Sequence, residues 1–595
     1  MAKRNTATVD EVVKTKLSKE HFKKLLGYMK RHTGAILFTV ALMLVSAFLG
    51  LLSPYFISKV VDVILPAKDI KGLIGVVVIL VIVQLLVWHN NVLRGKTIHK
   101  VGEGIIHDIR LDLFKHLQEL QFSYFDSVPH GKIIVRVVNY VNSISSTLSN
   151  GIVDIITNVF TVFVIVGFML SMDVMLTLIC IVGVPIFTLF LTFLRKKHKA
   201  AWEKYSAKQS NLNAYIHENI EGMKVTQSFA REEKNKSIFA QICGENRFFW
   251  MKAKKIELFI PVGVNFLSVV VTILIYVYGA QRVATGTLLI GELLAFAAYN
   301  SRFWAPIGAI AGFYNQIITC GVYIERIFEL MEEPVTVKNL PGAKDLPPIE
   351  GHIEFKNVSF KYEPDEPYVL NDISFEVKPG ESVAIVGPTG AGKSTIINLL
   401  SRFYNVEEGK VLIDGHDIME VTLESLRSRM GIMLQDSFLF TGTIMENIRY
   451  SKLDATEEEV IAAAKTVCAH DFIKDLPDGY NTMVEERGAT LSQGQRQLIA
   501  FARAILADPD ILILDEATSS IDTETEVALQ KGLEELLKGR TSFIVAHRLS
   551  TIKNSSQIMY ISDHKILERG THEELLALGG KYADLYNAQF KFINI

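Results

Sequence analysis

The sequence predicts a chain of two parts: an α-helical membrane domain of six spans, then a water-soluble α/β domain. Three observations predict it. At 595 residues the chain is too long for one ordinary core. Its mean hydropathy of +0.26 is high for a soluble protein of this size. Long apolar runs crowd before residue 325, whereas strand-like and helix-like stretches alternate after 349. Lys plus Arg number 62 against 64 Asp plus Glu, a net charge of −2, which gives no ground for a nucleic-acid partner. Cys180, Cys243, Cys320 and Cys468 are scattered without C-x-x-C spacing. They read as ordinary buried thiols, not as a zinc site or a disulfide framework.

Residues 1–33 read as a cytoplasmic tail and an interfacial helix. The start is polar and has no cleavable signal pattern. The stretch "HFKKLLGYMKRH" (21–32) has one basic and one apolar face, which suits the inner membrane interface. The membrane domain is assigned to 34–325. Its apolar segments, each near the ~20 residues that cross a bilayer, centre on 34–52, 73–88, 152–170, 176–194, 258–278 and 288–320. The last is the most polar, with Asn300, Arg302 and Trp304. A charge at membrane depth is costly and normally faces a cavity or a partner. These three are therefore candidate cavity residues, and for Arg302 structural pairing with a neighbouring helix is the competing reading.

Basic residues set the orientation. Arg94, Lys96, Lys100, Arg110 and Lys115 follow the second span, and Arg195, Lys196, Lys197, Lys199 and Lys204 follow the fourth. The opposite loop "SMDVM" (171–175) has none. The long segments, and both termini, are expected on the cytoplasmic side of the cell membrane. Their apolar periodicity is helical, so the membrane helices are expected to continue well into the cytoplasm.

Residues 326–348, ending in "VKNLPGAKDLPP", read as a linker, and 349–595 as the α/β domain. Within it stands "GPTGAGKST", that is Gly387, Pro388, Thr389, Gly390, Ala391, Gly392, Lys393, Ser394 and Thr395. The spacing G-x-x-x-x-G-K-S lets backbone N–H groups close around phosphate oxygens at the start of a helix. Lys393 would neutralise the β/γ-phosphates and the Ser394 hydroxyl would ligate Mg²⁺. A plain Gly-rich turn is the alternative. Downstream, "ILILDE" (511–516) reads as a buried strand ending in two acids. Asp515 is placed to hold Mg²⁺ through water, and Glu516 to polarise an attacking water as base. Helix capping is the bland reading of that pair.

The stretch "LSQGQ", Leu491, Ser492, Gln493, Gly494 and Gln495, resembles the signature of ATP-binding cassette (ABC) proteins, usually LSGGQ. Other pieces stand in that family's order. Tyr362 matches the aromatic that stacks on adenine, and Gln435 the glutamine that touches Mg²⁺ and faces the membrane domain. Ser519, Ser520, Ile521 and Asp522 match the loop between subunits, and His547 the switch histidine on the γ-phosphate. Six helices ahead of one cassette resemble an exporter half-transporter. Segments 123–144 and 213–233 resemble its cytoplasmic connections, whose short helices dock on the cassettes. The resemblance implies the ABC exporter fold with a P-loop nucleotide-binding domain. It also implies ATP and Mg²⁺ as cofactors, and a dimer in which each ATP lies between one chain's phosphate loop and the other's signature.

Three features depart from the family pattern. Gln493 and Glu485 stand where Gly is common, and "SSID" replaces SALD. A side chain at 493 hinders close backbone approach to phosphate. All three serve the partner's ATP, while Lys393, Gln435, Asp515, Glu516 and His547 are intact. This asymmetry resembles the hydrolysis-competent chain of heterodimeric bacterial multidrug exporters, a homodimer with a tolerated variant being the alternative. The expected activity is ATP-driven efflux of small hydrophobic or amphipathic compounds, amid membrane lipids. A lipid flippase, a peptide exporter and an ATP-gated channel or sensor are the competing functions.

Overall fold

The structure is a computed structural model and describes residues 19–146, 151, 153–433, 437–485, 488, 490–515, 523–545 and 549–590. It divides into two compact units, Met1–Glu119 with Ser127–Glu333, and Leu120–Asp126 with Pro334–Ile595.

The first unit is helical. α1 (Lys19–Lys30) precedes α2 (Thr33–Lys59), which runs on through a wider helical turn, Val60–Ile64. There follow α3 (Ile70–Glu119), α4 (Phe122–Ser127, mostly in the second unit), α5 (His130–Ile134) and α6 (Val141–Ser146). α7 (Val153–Met172), α8 (Val174–Glu221), α9 (Met223–Ser228), α10 (Glu232–Ala284) and α11 (Ile290–Met331) complete it. Among the described residues, the helices over Thr33–Ile64, Ile70–Glu119, Asp154–Met172, Val174–Glu221 and Glu232–Ala284 are long and apolar enough to cross a membrane. The sixth expected span is α11, which carries the polar residues already noted.

α10 has 53 residues, about 80 Å at the helical rise. The hydrocarbon of a bilayer is only about 30 Å thick. α3, α8 and α10 therefore extend far past any membrane, as the periodicity of their sequences requires. α8 and α10 pack against each other.

Pro54 sits inside α2. Proline has no N–H to give the carbonyl four residues back, so the Gly50 oxygen is left without its helical donor. The Arg302 guanidinium donates to it, and the Tyr299 hydroxyl donates to the adjacent Leu51 carbonyl at 2.8 Å. α11 thus fastens onto the weak point of α2.

Among the described residues the second unit carries three sheets. Its strands are β1 (Ile353–Phe360), β2 (Leu370–Val377), β3 (Ser382–Val386), β4 (Glu408–Ile413), β5 (His416–Asp417) and β6 (Met430–Met433). The remainder are β7 (Gly442–Thr443), β8 (Met483–Val484), β9 (Ile511–Asp515), β10 (Thr541–Val545), β11 (Gln557–Ser562) and β12 (Lys565–Gly570). One sheet is antiparallel, in the order β2-β1-β4-β5, and β7 pairs with β8. The principal sheet runs β12-β11-β3-β10-β9-β6, parallel from β11 to β6. Its inner strands are continuous apolar runs, as burial on both faces demands.

The stretch expected as linker, 326–348, is not uniform. It is helical as far as Met331, and its later part is bound into the second unit. There the Lys344 amide donates to Glu420 at 3.2 Å and the Leu346 amide to the Ser425 hydroxyl at 2.9 Å.

Candidate functional site

The phosphate loop leaves the C-terminal end of β3, in the middle of the parallel sheet, where such folds bind their ligands. It opens the helix Lys393–Leu400, whose cap Gly392 has φ +99°. Gly387 has φ +148°, and a Cβ there would run into the carbonyl oxygen of Ile561. At Gly392 a Cβ would sit 2.8 Å from the Leu370 side chain. Both glycines are thus required by backbone conformation and by close approach.

Lys393 folds back over this loop. Its Nζ donates to the carbonyls of Gly387 at 3.0 Å and Pro388 at 2.9 Å. Burial pulls the ammonium below the ordinary lysine value, and the Asp515 carboxylate works against that. The Ser394 hydroxyl lies 3.5 Å from the Asp515 carboxylate, which ends β9. Hydroxyl and carboxylate side by side are an oxygen donor set suited to a hard divalent cation such as Mg²⁺.

Tyr362 is 38% exposed. Its hydroxyl is 3.0 Å from Thr395 Oγ1 at the first turn of the phosphate-loop helix. Its ring meets Phe360 and Tyr404 edge-on, at 5.0 Å for each pair of centroids.

Glu516, His547, Gln435 and the Ser519–Asp522 loop lie outside the described residues. The strands leading into them do not. β9 and β10 are parallel neighbours in register, with Asp515 opposite Val545, and β6 borders β9.

The signature opens the helix Gln493–Leu506. Ser492 is exposed and caps it: its Oγ accepts the Gln495 amide at 3.2 Å, and the Gln495 side chain accepts the Ser492 amide at 2.9 Å. Arg496 donates to the carbonyls of Gly488 and Leu491, at 3.2 and 2.7 Å, bracing the segment before the helix. Gln493 is half-buried, Gly494 buried, and Leu491 packs in the core.

Of the candidate cavity residues, Asn300 and Trp304 are buried among the helices. Asn300 is fully buried and ties three helices together. Its Nδ2 donates to Thr272 Oγ1 at 2.8 Å, and its Oδ1 accepts from Trp304 Nε1 and Cys180 Sγ, each at 3.1 Å. Trp304 is 1% exposed and packs where Gly183 of α8 leaves room for its ring. Both are structural within the helix packing. Arg302 is exposed, and its guanidinium donates to the Gly50 carbonyl of α2.

Sequence reasoning missed the segment after the phosphate-loop helix. Arg402 is fully buried at φ +50° and donates to the carbonyls of Ile418, Val421 and Lys338 at 3.0, 2.9 and 2.9 Å. Next to it, the Tyr404 hydroxyl donates to Asp126 at 2.7 Å. Burial first, and then that carboxylate, push the phenol well above its ordinary value. The aromatic pair in "SRFYN" was the available signal.

Comparison with known proteins gives the family. A family model for the ABC transporter transmembrane region matches residues 36–307, and one for the ABC transporter matches 370–519. The "Uncharacterized ABC transporter ATP-binding protein YknV" of Bacillus subtilis is 40% identical over 98% of this chain and 96% of its own. The "Probable multidrug resistance ABC transporter ATP-binding/permease protein YheH" of the same organism is 40% identical over 82% of this chain and 72% of its own. A "Fatty acid ABC transporter ATP-binding/permease protein" of Mycobacterium tuberculosis is 36% identical over 85% and 79%. A solved bacterial Atm1-family ABC exporter with ATP bound superposes with a TM-score of 0.79 at 30% identity, over 94% of this chain and 98% of that one.

Proposed function

Because the chain belongs to the ABC transporter family, as a half-transporter with membrane and ATP-binding domains fused, we propose that it is one chain of a multidrug-type exporter. The cargo would be hydrophobic or amphipathic compounds. Members of the family hydrolyse ATP to drive transport, and ATP-driven export across a membrane is the activity its relatives share. The observation that carries the reading is the preformed phosphate loop, with Lys393 and the Ser394–Asp515 pair in place, on a chain with membrane-length helices.

In this reading Lys393 exchanges the carbonyls of its own loop for the β/γ-phosphates. The loop amides and the helix behind them receive the phosphate charge. Ser394 and Asp515, with Gln435, would hold Mg²⁺, which when bound neutralises charge on the phosphates. Tyr362 offers its face to the base. Glu516 takes the proton of the attacking water, and His547 contacts the γ-phosphate. Ser492, exposed at the start of its helix, serves the ATP of a second chain. Both termini face the cytoplasm.

A heterodimer is favoured by Gln493, which stands where a glycine would let the backbone approach the partner's phosphate. Fatty acids or lipids are the second cargo reading, favoured by the mycobacterial relative. The experiment is an ATPase screen in lipid discs, with amphipathic dyes against fatty acids, on this chain with and without a partner half-transporter. Stimulation by dyes supports the first cargo, stimulation by fatty acids the second. Glu516→Gln should bind ATP and nearly abolish turnover; hydrolysis at the wild-type rate would remove Glu516 from the role of base.

A further inference from the structure

Three helices meet in one corner of the second unit: Leu549–Asn554, His572–Leu578 and Lys581–Phe590. Ile552, Leu575 and Tyr582, one from each, are buried in a common core, with Leu585 and Tyr586 packed against it. The start of the last of these helices is held by Glu568 of β12, whose carboxylate accepts the amides of Lys581 and Tyr582. A Cβ at Gly580 would run into that carboxylate, so the approach is close.

His572 stands at the centre of this corner. Its Nδ1 is 2.6 Å from the hydroxyl of Tyr582, a residue only 1% exposed. Its ring meets Tyr582 and Tyr586 edge-on, with centroids 5.9 and 5.2 Å apart. From the first helix, the Lys553 ammonium lies 5.9 Å over the Tyr586 ring. One tyrosine ring thus has a lysine over its face and an imidazole beside it.

The neutral imidazole suits this place and the charged one does not. Burial pushes it below the ordinary histidine value of 6.5, and Lys553 pushes the same way, with Glu573 of its own helix opposing. In the neutral tautomer with hydrogen on Nε2, the ring accepts the Tyr582 hydroxyl at Nδ1. An arriving proton takes that same Nδ1, and the charged ring has only donors left. The hydroxyl then loses its acceptor while keeping its own proton, because burial pushes the phenol up to about 12. The imidazolium also becomes a second cation beside Tyr586, facing Lys553. Both changes work against the last helix where it lies on the other two. The contact is therefore at full strength above the ordinary histidine value and weakens as pH falls through it.

We propose that His572 is a proton-operated clasp: neutral, it holds the helix Lys581–Phe590 on the helix Leu549–Asn554, and protonated, it lets go. The consequence for the reaction rests on the reading of His547 as the residue on the γ-phosphate. Leu549 follows His547 by two positions, so the helix that Ile552 and Lys553 belong to carries the chain away from that contact. Acidification frees this helix from its packing partner and slows ATP turnover.

The test uses the full-length chain in its dimer, in lipid discs. Amide protection across 582–590 is measured at about pH 7.5 and about pH 5.5, beside ATP turnover. In the wild type, protection should fall about fivefold in the acid sample, the scale of one hydrogen bond. His572→Gln keeps an acceptor for Tyr582 and takes no proton, so its protection should hold at both values. Tyr582→Phe has no hydroxyl to strand, so its fall should be smaller than the wild type's. Turnover should drop more steeply with acid in the wild type than in His572→Gln. Equal loss of protection in the wild type and His572→Gln, or none in the wild type, would overturn the clasp. Protection that responds while the two turnover profiles coincide would overturn its hold on the reaction. If His547→Ala hydrolysed ATP at the full rate, the γ-phosphate reading itself would fall, a result distinct from failure of the clasp.

Discussion

Lys393 donates to the carbonyl of Gly387 at 3.0 Å, so the loop's own cation closes over the space its backbone amides surround. An arriving phosphate has to take that ammonium away from two carbonyls. Lys393→Ala is expected to weaken ATP binding at least tenfold, the scale of a charge-assisted contact. The melting temperature should barely move. Calorimetric titration and thermal unfolding of the same sample check both halves; equal affinity would remove Lys393 from phosphate binding.

The same lysine gives a pH dependence with a definite sign. Burial first holds its free-state pKa below the ordinary value, with Asp515 opposing. ATP prefers the charged form. Affinity should therefore be full at neutral pH and fall as pH rises through the depressed value, earlier than for an ordinary lysine. Titrations across the alkaline range, with Lys393→Arg as control, should show the fall move to higher pH in the arginine variant.

Asn300 is expected to matter for folding. Replacing it by Ala leaves the Trp304 indole N–H, inside the helix packing, without its acceptor, while the Thr272 hydroxyl keeps its bond to the Ser268 carbonyl. An orphaned buried polar group costs roughly 1–3 kcal/mol, so Asn300→Ala should clearly lower the melting temperature in lipid discs. A variant that melts like the wild type would mean that the three-helix junction contributes little.

Arg302 and Pro54 should be coupled. Arg302→Met leaves the Gly50 carbonyl without a donor and is expected to destabilise by about 1–3 kcal/mol. Pro54→Ala supplies the missing backbone N–H, so in that background the loss at Arg302 should shrink. Additive effects in the double-mutant cycle would contradict the account.

These cases also mark what the sequence can carry. The phosphate loop was legible because its chemistry is written in backbone conformation, with Gly387 and Gly392 at angles and in spaces that other residues do not fit. The long helices were legible from period and length. Asn300, Arg302 and Trp304 were not, because a polar residue at membrane depth suits a cavity or a helix junction equally well. The deciding partners, Thr272, Cys180 and Gly50, lie on other helices. Arg402 was illegible for a similar reason: its carbonyl acceptors, at Lys338, Ile418 and Val421, belong to segments away from it along the chain. The Pro54 gap in α2 was visible in the sequence, but which side chain fills it depended on the register of α11.

The central claim is that one chain supplies only one face of each ATP site, with Lys393 on the phosphate side and Ser492 at the side that serves another chain. The most direct measurement is ATPase activity of single chains isolated one per lipid disc, against discs holding two chains. The account predicts that solitary chains bind ATP but hydrolyse it at a small fraction of the paired rate. Full hydrolysis by a solitary chain would contradict it.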